Sequence, residues 1–337
     1  MKTEQKTALV TGGGGYLGSV LTPMLLSSGY KVVVLDRFFW GKKTLSSVSN
    51  RDDLCLVEAD TRFFPKKYLK GVDVVIDLAS LSNDPIGELN PEITMAINFE
   101  ARAKTAKLAK EAGVGRYILA SSCSVYGFRE EVLSEKSNIS PVTTYARASA
   151  LAEEAALKLN DKNFLVTVLR QGTLYGISPR MRFDLVLNTM ALSYFKNKRI
   201  SVLGGDQWRP ILHVKDSAKA FIQVAGEDAK KISGQIFNVG DNKHNYQIKE
   251  LAKLVAGTKG KIITEDAQRD FRSYRVSFDK IKKELGFTAT ENPKKTAGSI
   301  IKSLKNKKIQ DSIETRTVDW YKHLISKNPK ILEARKC

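Results

Sequence analysis

Thr7-Ala8-Leu9-Val10-Thr11-Gly12-Gly13-Gly14-Gly15-Tyr16-Leu17-Gly18 is the stretch on which the fold turns. TALVT reads as a short buried strand that runs into four glycines. From Tyr16 to Ser28, Leu17, Val20, Leu21, Met24 and Leu25 recur at helical spacing, with Pro23 inside as a possible kink. A glycine loop between strand and helix has specific physics. Residues without Cβ let the chain curve tightly and approach a ligand closely. The helix N-terminus adds unpaired N–H groups and a positive dipole end. This points to a dinucleotide pyrophosphate cradled by Gly12, Gly15, Tyr16, Leu17 and Gly18. Asp36 closes the next apolar run, 18 residues after Gly18. A carboxylate there accepts both ribose hydroxyls and repels a 2′-phosphate, which favours NAD over NADP. Arg37 beside it weakens that discrimination.

Outward from this stretch, strand and helix alternate. Further strands are expected at Lys31–Leu35, Leu54–Val57, Val72–Leu78, Arg116–Ala120 and Phe164–Leu169. Helices are expected at Pro91–Ala112, opened by Pro and closed by Gly113, and at Thr144–Leu159. The strands are continuous apolar runs, so both sheet faces should be covered by helices. The fold class is α/β, a doubly wound parallel (Rossmann) sheet over residues 1–180. Residues 181–337 form a smaller mixed α/β substrate-binding part, some of whose elements can return to the sheet. There, Phe183–Lys196, Asp216–Ala225, Gln247–Val255 and Pro293–Leu304 read as helices, and Ile211–Val214 and Ile236–Val239 as strands.

Several short motifs follow in order. They are Glu58-Ala59-Asp60-Thr61, Leu78-Ala79-Ser80, Asn98 in the long helix, and Ser121-Ser122-Cys123-Ser124-Val125-Tyr126-Gly127. Tyr145 and the run Gln207-Trp208-Arg209-Pro210-Ile211-Leu212-His213-Val214-Lys215-Asp216 come after them. With the Gly-x-x-Gly-x-x-Gly spacing, the chain resembles the extended short-chain dehydrogenase/reductase family, over about residues 6–290. Within that family it is similar to the nucleotide-sugar epimerases and dehydratases. The resemblance implies that Asp60, Thr61, Leu78, Ala79, Ser80, Asn98 and Ser121 lie along the cofactor. It implies that Tyr145 takes a sugar hydroxyl proton while a hydride leaves for the nicotinamide, and that Ser122 hydrogen-bonds the same oxygen.

One position departs from the family's Tyr-x-x-x-Lys: the chain reads Tyr145-Ala146-Arg147-Ala148-Ser149. The lysine binds the nicotinamide ribose and lowers the tyrosine pKa. Ser149 can keep a hydrogen bond but brings no charge. Arg147 lies on another side of the helix and cannot simply substitute. A slow enzyme with a cation from elsewhere, a non-catalytic binder and a deliberate substitution remain open. Dehydratases of the family carry Asp-Glu where Cys123 and Ser124 stand, so 4,6-dehydration is disfavoured. The expected activity is an NAD-dependent epimerase or C4 oxidoreductase working through a 4-keto sugar. Ser122, Cys123, Ser124, Thr173, Asn188, Arg209 and Arg272 are candidate substrate contacts, the two arginines for the diphosphate. His213 reads as structural.

The chain has 337 residues, 42% hydrophobic and 27% charged, which excludes a disordered chain or a disulfide scaffold. Its formal charge is +19, held mainly by residues 181–337, with 32 Lys and Arg against 17 Asp and Glu. The basic residues are scattered and no nucleic-acid motif accompanies them. The surplus reads as solvated surface, part of it able to attract a nucleotide-diphosphate sugar; neither nucleic acid nor membrane is an expected partner. Cys55, Cys123 and Cys337 are far apart and suggest neither metal site nor disulfide. MKTEQKTALV has no leader-like apolar run, so a cytoplasmic protein is expected. The resemblance implies a homodimer through helices 91–112 and 144–159, with Ala146, Ala148, Ala150 and Ala152 allowing close approach.

Overall fold

The computed structural model describes residues 5–82, 84–258, 260–265 and 273–334. Seven strands carry the architecture: β1 Thr7–Thr11, β2 Lys31–Asp36, β3 Leu54–Glu58, β4 Val74–Asp77, β5 Arg116–Ser122, β6 Leu165–Gln171 and β7 Gln235–Val239. They form one sheet in the order β7-β6-β5-β4-β1-β2-β3, and every neighbouring pair is parallel. The order reverses between β1 and β4, which opens a crevice at their C-terminal ends. Strand β7 lies far along the chain, yet it pairs with β6 in the same sheet.

Successive strand residues face opposite sides, and both sides are dry. Ala8 and Val10 pack with Leu21 and Leu25 of α1 (Gly18–Ser27) and Phe221 and Val224 of the helix Val214–Gly226. Leu9 packs with Ala106 and Ala109 of the helix Arg102–Glu111 and Ala152 and Ala156 of α3 (Thr144–Leu157). Helix α2 is the expected long helix, but in three parts: Pro91–Met95, a π-helical turn Ala96–Ala101, and Arg102–Glu111. Helix α1 runs on through Pro23. Helix Val186–Asn197 begins three residues later than expected, because Phe183 and Asp184 form a turn, Leu185 is extended and the Phe183 amide bonds the Thr315 carbonyl.

A separate apolar cluster holds the second part, joining Val186–Asn197, Ile248–Ala256 and Pro293–Lys305. Periodicity did not reveal strands Thr173–Tyr175, Arg199–Leu203 and Lys261–Glu265, or helix α4 (Thr317–Lys327). A fourth cluster seats Tyr321 and Leu332 against Phe39, Trp40, Leu81 and Ile86. Among the described residues no helix is long and apolar enough to cross a membrane. The α3 alanines need correction: Ala146, Ala148 and Ala152 are buried in their own chain, so they offer no free surface to a second copy.

Candidate active site

The glycine loop closes on itself and on β4. Gly12 has φ +69°, and a Cβ there would stand 2.9 Å from the Ala79 amide nitrogen. A Cβ on Gly18 would come within 2.3 Å of the Gly12 carbonyl. The loop is tight against itself, and Gly12, Gly15, Tyr16, Leu17 and Gly18 all line one cavity with Leu78, Ala79 and Ser80. Gly18→Ala is expected to destabilise the fold by about 1–3 kcal/mol and to abolish dinucleotide binding. Urea unfolding and NAD titration measure the two effects.

At one end of this cavity Asp36 accepts from the amides of Gly14 (2.9 Å) and Phe38 (2.6 Å). Burial pushes its carboxyl upward, and these amide bonds oppose the shift. Arg37 turns away from it. Its guanidinium bonds Asp60 at 2.5 Å and the Ile331 carbonyl at 2.8 Å. Asp60 is also held by Arg62 through two side-chain bonds, so its carboxylate is engaged by two arginines while still lining the cavity beside Thr61. Burial opposes ionisation of Asp60, but these bonds outweigh it and hold its pKa low. Asn98 differs from the expected cofactor contact. Its side chain is fully buried and brackets Leu81, accepting from its N–H and donating to its carbonyl. It fixes the segment after β4 rather than lining the cavity, and the π turn of α2 carries it there.

A second cavity adjoins the first, and Tyr145, Ser82, Ser121, Gln171, Leu174 and Arg182 line both. Ser122 stands near enough to the Tyr145 hydroxyl to act on it, and its own Oγ accepts from the Ser124 amide at 3.1 Å. Burial, then the Asp84 carboxylate, push the Tyr145 pKa upward; Arg102, Ser122 and Arg182 pull the other way. Ser149 is buried, and its hydroxyl donates to the Tyr145 carbonyl at 2.8 Å, so it is spent within the helix and lines neither cavity. Arg147 is exposed and bonds Thr144. One turn beyond Ser149, Glu153 bonds Ser121 and clamps Arg170 by both oxygens. That buried pair fixes the floor beneath Ser121.

Of the expected substrate contacts, Ser122, Ser124, Thr173 and Arg209 line the second cavity. Arg209 lies over the Tyr274 ring. Cys123 does not line it. Its thiol points into the core at the Arg170 carbonyl, and burial pushes its pKa far up. Asn188 is likewise a correction: its amide is buried and pins Gly176, Tyr16 and Arg182. Arg272 lies outside the described residues. His213 is structural, its Nδ1 accepting from the Lys215 amide and its ring edge-on to Tyr175; burial lowers its pKa to about 4.

Sequence reasoning missed Asp84, Arg180 and Arg182. The arginines follow the Gly176 turn as Ser178-Pro179-Arg180-Met181-Arg182, and two cations flanking one residue after a strand end were the available signal. Arg182 forms a two-bond pair with Asp184. Arg180 has a buried Nη1 with no hydrogen-bond partner among the described residues, and the Ser80 and Ser124 hydroxyls share that condition. A cradle that admits no Cβ, a carboxylate at the end of β2 lining the same cavity and an unpaired guanidinium N–H fit a dinucleotide. Among the described residues no group of three His, Cys, Asp or Glu is placed to hold a metal.

UDP-glucuronic acid decarboxylase 1 of Xenopus tropicalis is 27% identical over 297 residues, covering 84% of this chain and 68% of its own. A putative UDP-glucose 4-epimerase of Methanocaldococcus jannaschii is 26% identical over 310 residues, covering 88% and 98%. The structure of UDP-N-acetylglucosamine 4-epimerase from Methanobrevibacter ruminantium M1, in complex with UDP-N-acetylmuramic acid, shares the fold with a TM-score of 0.81. It is 23% identical, over 90% of this chain and 100% of that one. The NAD dependent epimerase/dehydratase family itself matches residues 8–240. Because that match runs from β1 to the end of β7 and takes in the whole parallel sheet, the chain belongs to this NAD-dependent family.

Proposed function

We propose that the protein oxidises a sugar carbon of a nucleotide-diphosphate sugar through a 4-keto sugar, as an epimerase or C4 oxidoreductase. The observation that carries this reading is the Tyr145–Ser122 pair, with Tyr145 on the wall shared by two cavities. A sugar hydroxyl at that junction can give its proton to the Tyr145 oxygen while Ser122 hydrogen-bonds the developing charge. NAD, when bound, supplies the hydride acceptor. Gly12, Gly15, Gly18, Asp36 and Ser80 would hold it, with Ser121 and Gln171 bordering its reactive end. Arg37 is occupied by Asp60 and by tail carbonyls, which supports NAD over NADP. Cys123 is buried and Ser124 is no acid, which speaks against 4,6-dehydration.

The nucleotide and diphosphate belong in the second cavity, where Arg209 and Thr173 lie. Arg209→Ala is expected to raise KM about ten- to a hundredfold with little change in kcat. Steady-state kinetics with the accepted sugar nucleotide checks it. The function as a whole is tested by adding UDP-, GDP- and dTDP-sugars to NAD-loaded protein and following NADH absorbance and product sugar. No change with any of them leaves the second reading, a binder of cofactor and sugar nucleotide; the uncharged, internally bonded Ser149 favours that alternative.

A further inference from the structure

The dinucleotide cavity has a wall outside the family match. Thr317 and Tyr321 of α4 and Leu332 beyond it line the cavity, whereas the match ends at residue 240. The wall is fastened at both ends. At one, Thr317 accepts a hydrogen bond from Arg180 Nη2 (3.0 Å) and its amide bonds Asp184. At the other, the carbonyls of Ile331, Leu332 and Glu333 accept from Arg37 and Arg62, the two arginines that grip Asp60. Between them Tyr321 meets Phe39 and Trp40 edge-on, and the Trp320 indole bonds the Phe39 carbonyl.

Arg180 is the unusual member. It is 4% exposed, has its guanidinium carbon over the Trp40 ring at 3.9 Å from the centroid, and keeps Nη1 unpaired among the described residues. It lines the same cavity as Gly12, Gly15, Gly18 and Asp36. The loop carrying it is stitched to that cradle: Tyr16 bonds the Gly176 carbonyl, and Ser178 bonds Ser19 and the Tyr16 carbonyl. Arg180 makes no direct salt bridge among the described residues, and the nearby Asp184 carboxylate is already paired with Arg182; a buried cation so placed is costly. An anion held between the helix N-terminus and this guanidinium would relieve that cost, and the dinucleotide's diphosphate is the anion such a cradle takes.

We propose that Arg180 is the cation that grips the cofactor's diphosphate, and that the C-terminal segment 317–334 anchored on it forms a fixed wall that retains the bound dinucleotide. This rests on the NAD-binding reading alone and not on any sugar turnover. Burial and the neighbouring Arg182 already press the Arg180 pKa down to about 9, the direction expected of a site waiting for negative charge.

Arg180→Met keeps a side chain against Trp40 and removes the charge. ADP-ribose, which carries the diphosphate without nicotinamide, is the probe, read by calorimetry on cofactor-free protein. Its Kd is expected to rise about ten- to a hundredfold. The cofactor-free variant is expected to melt no earlier than the parent, since an unpaired buried charge has gone. An unchanged Kd overturns the assignment. A weaker Kd accompanied by earlier melting also overturns it, by marking Arg180 as a structural residue. A second variant ending at Lys327 tests the wall. NAD should leave it at least tenfold faster than the full chain on dilution, followed by cofactor fluorescence. Equal release rates overturn retention. All these readouts stand even if no sugar is ever turned over, so the two proposals fail separately.

Discussion

Tyr145→Phe is expected to lower kcat/KM by about 10²–10⁴-fold, the usual worth of a positioned proton acceptor. NAD affinity should change little, because the glycine loop and Asp36 lie at the far end of the cavity. The phenylalanine ring keeps the packing of a side chain that stands between two cavities, so loss of fold is not the cause. The pH dependence of the parent sharpens the test. In the proposed reaction the group acts as a phenolate, and burial and Asp84 raise its pKa above the ordinary tyrosine value. The active fraction at neutral pH is therefore small and grows about tenfold per pH unit. Activity of the parent should climb continuously through neutral pH into the alkaline range. Tyr145→Phe should leave a flat residue of activity with no such climb. A parent profile that levels off near neutrality would show that another group takes the proton.

Ser149→Lys is the second large effect, and it runs upward. Position 149 stands one helical turn from Tyr145 on the same face. An ammonium there favours the phenolate, and an opposite charge at such range lowers a pKa by about 1–3 units. Turnover at neutral pH should rise about ten- to a hundredfold, and the alkaline limb should move to lower pH by a matching amount. The present serine contributes neither effect, since its hydroxyl is tied to the Tyr145 carbonyl. Activity profiles of parent and variant across the pH range give both numbers at once. An increase in rate without movement of the limb would assign the gain to ribose binding instead.

Where the backbone itself dictates residue type, the chain was readable in advance. No Cβ fits at Gly12 or Gly18, a carboxylate must end β2, and the strand–helix alternation is written in apolar periods. Spaced motifs also pointed to Tyr145 and Ser122, which line the second cavity. Direction was not. Ser122, Cys123 and Ser124 are consecutive, yet a 3₁₀ turn sends the middle one into the core. Asn188 and Asn98 carry polar groups that look suited to a ligand, but each is consumed by backbone it must hold in place. Arg180 and Arg182 owe their place to a loop pinned by Tyr16, a contact across about 160 residues of chain. The far end of the C-terminal wall left no trace in residue type, because its fastening to Arg37 and Arg62 uses backbone carbonyls, which every residue has.

Strand β7 carries a consequence for how the molecule is made. Residues 235–239 complete a sheet whose other six strands end at residue 171. While the chain is being synthesised, those six can assemble well before the seventh leaves the ribosome. Until it does, β6 presents a row of unpaired amides and carbonyls along an apolar edge, the kind of surface on which nascent chains join one another. The last strand is thus a late seal, and the helix Val214–Gly226, which packs against α1, leaves the ribosome just ahead of it.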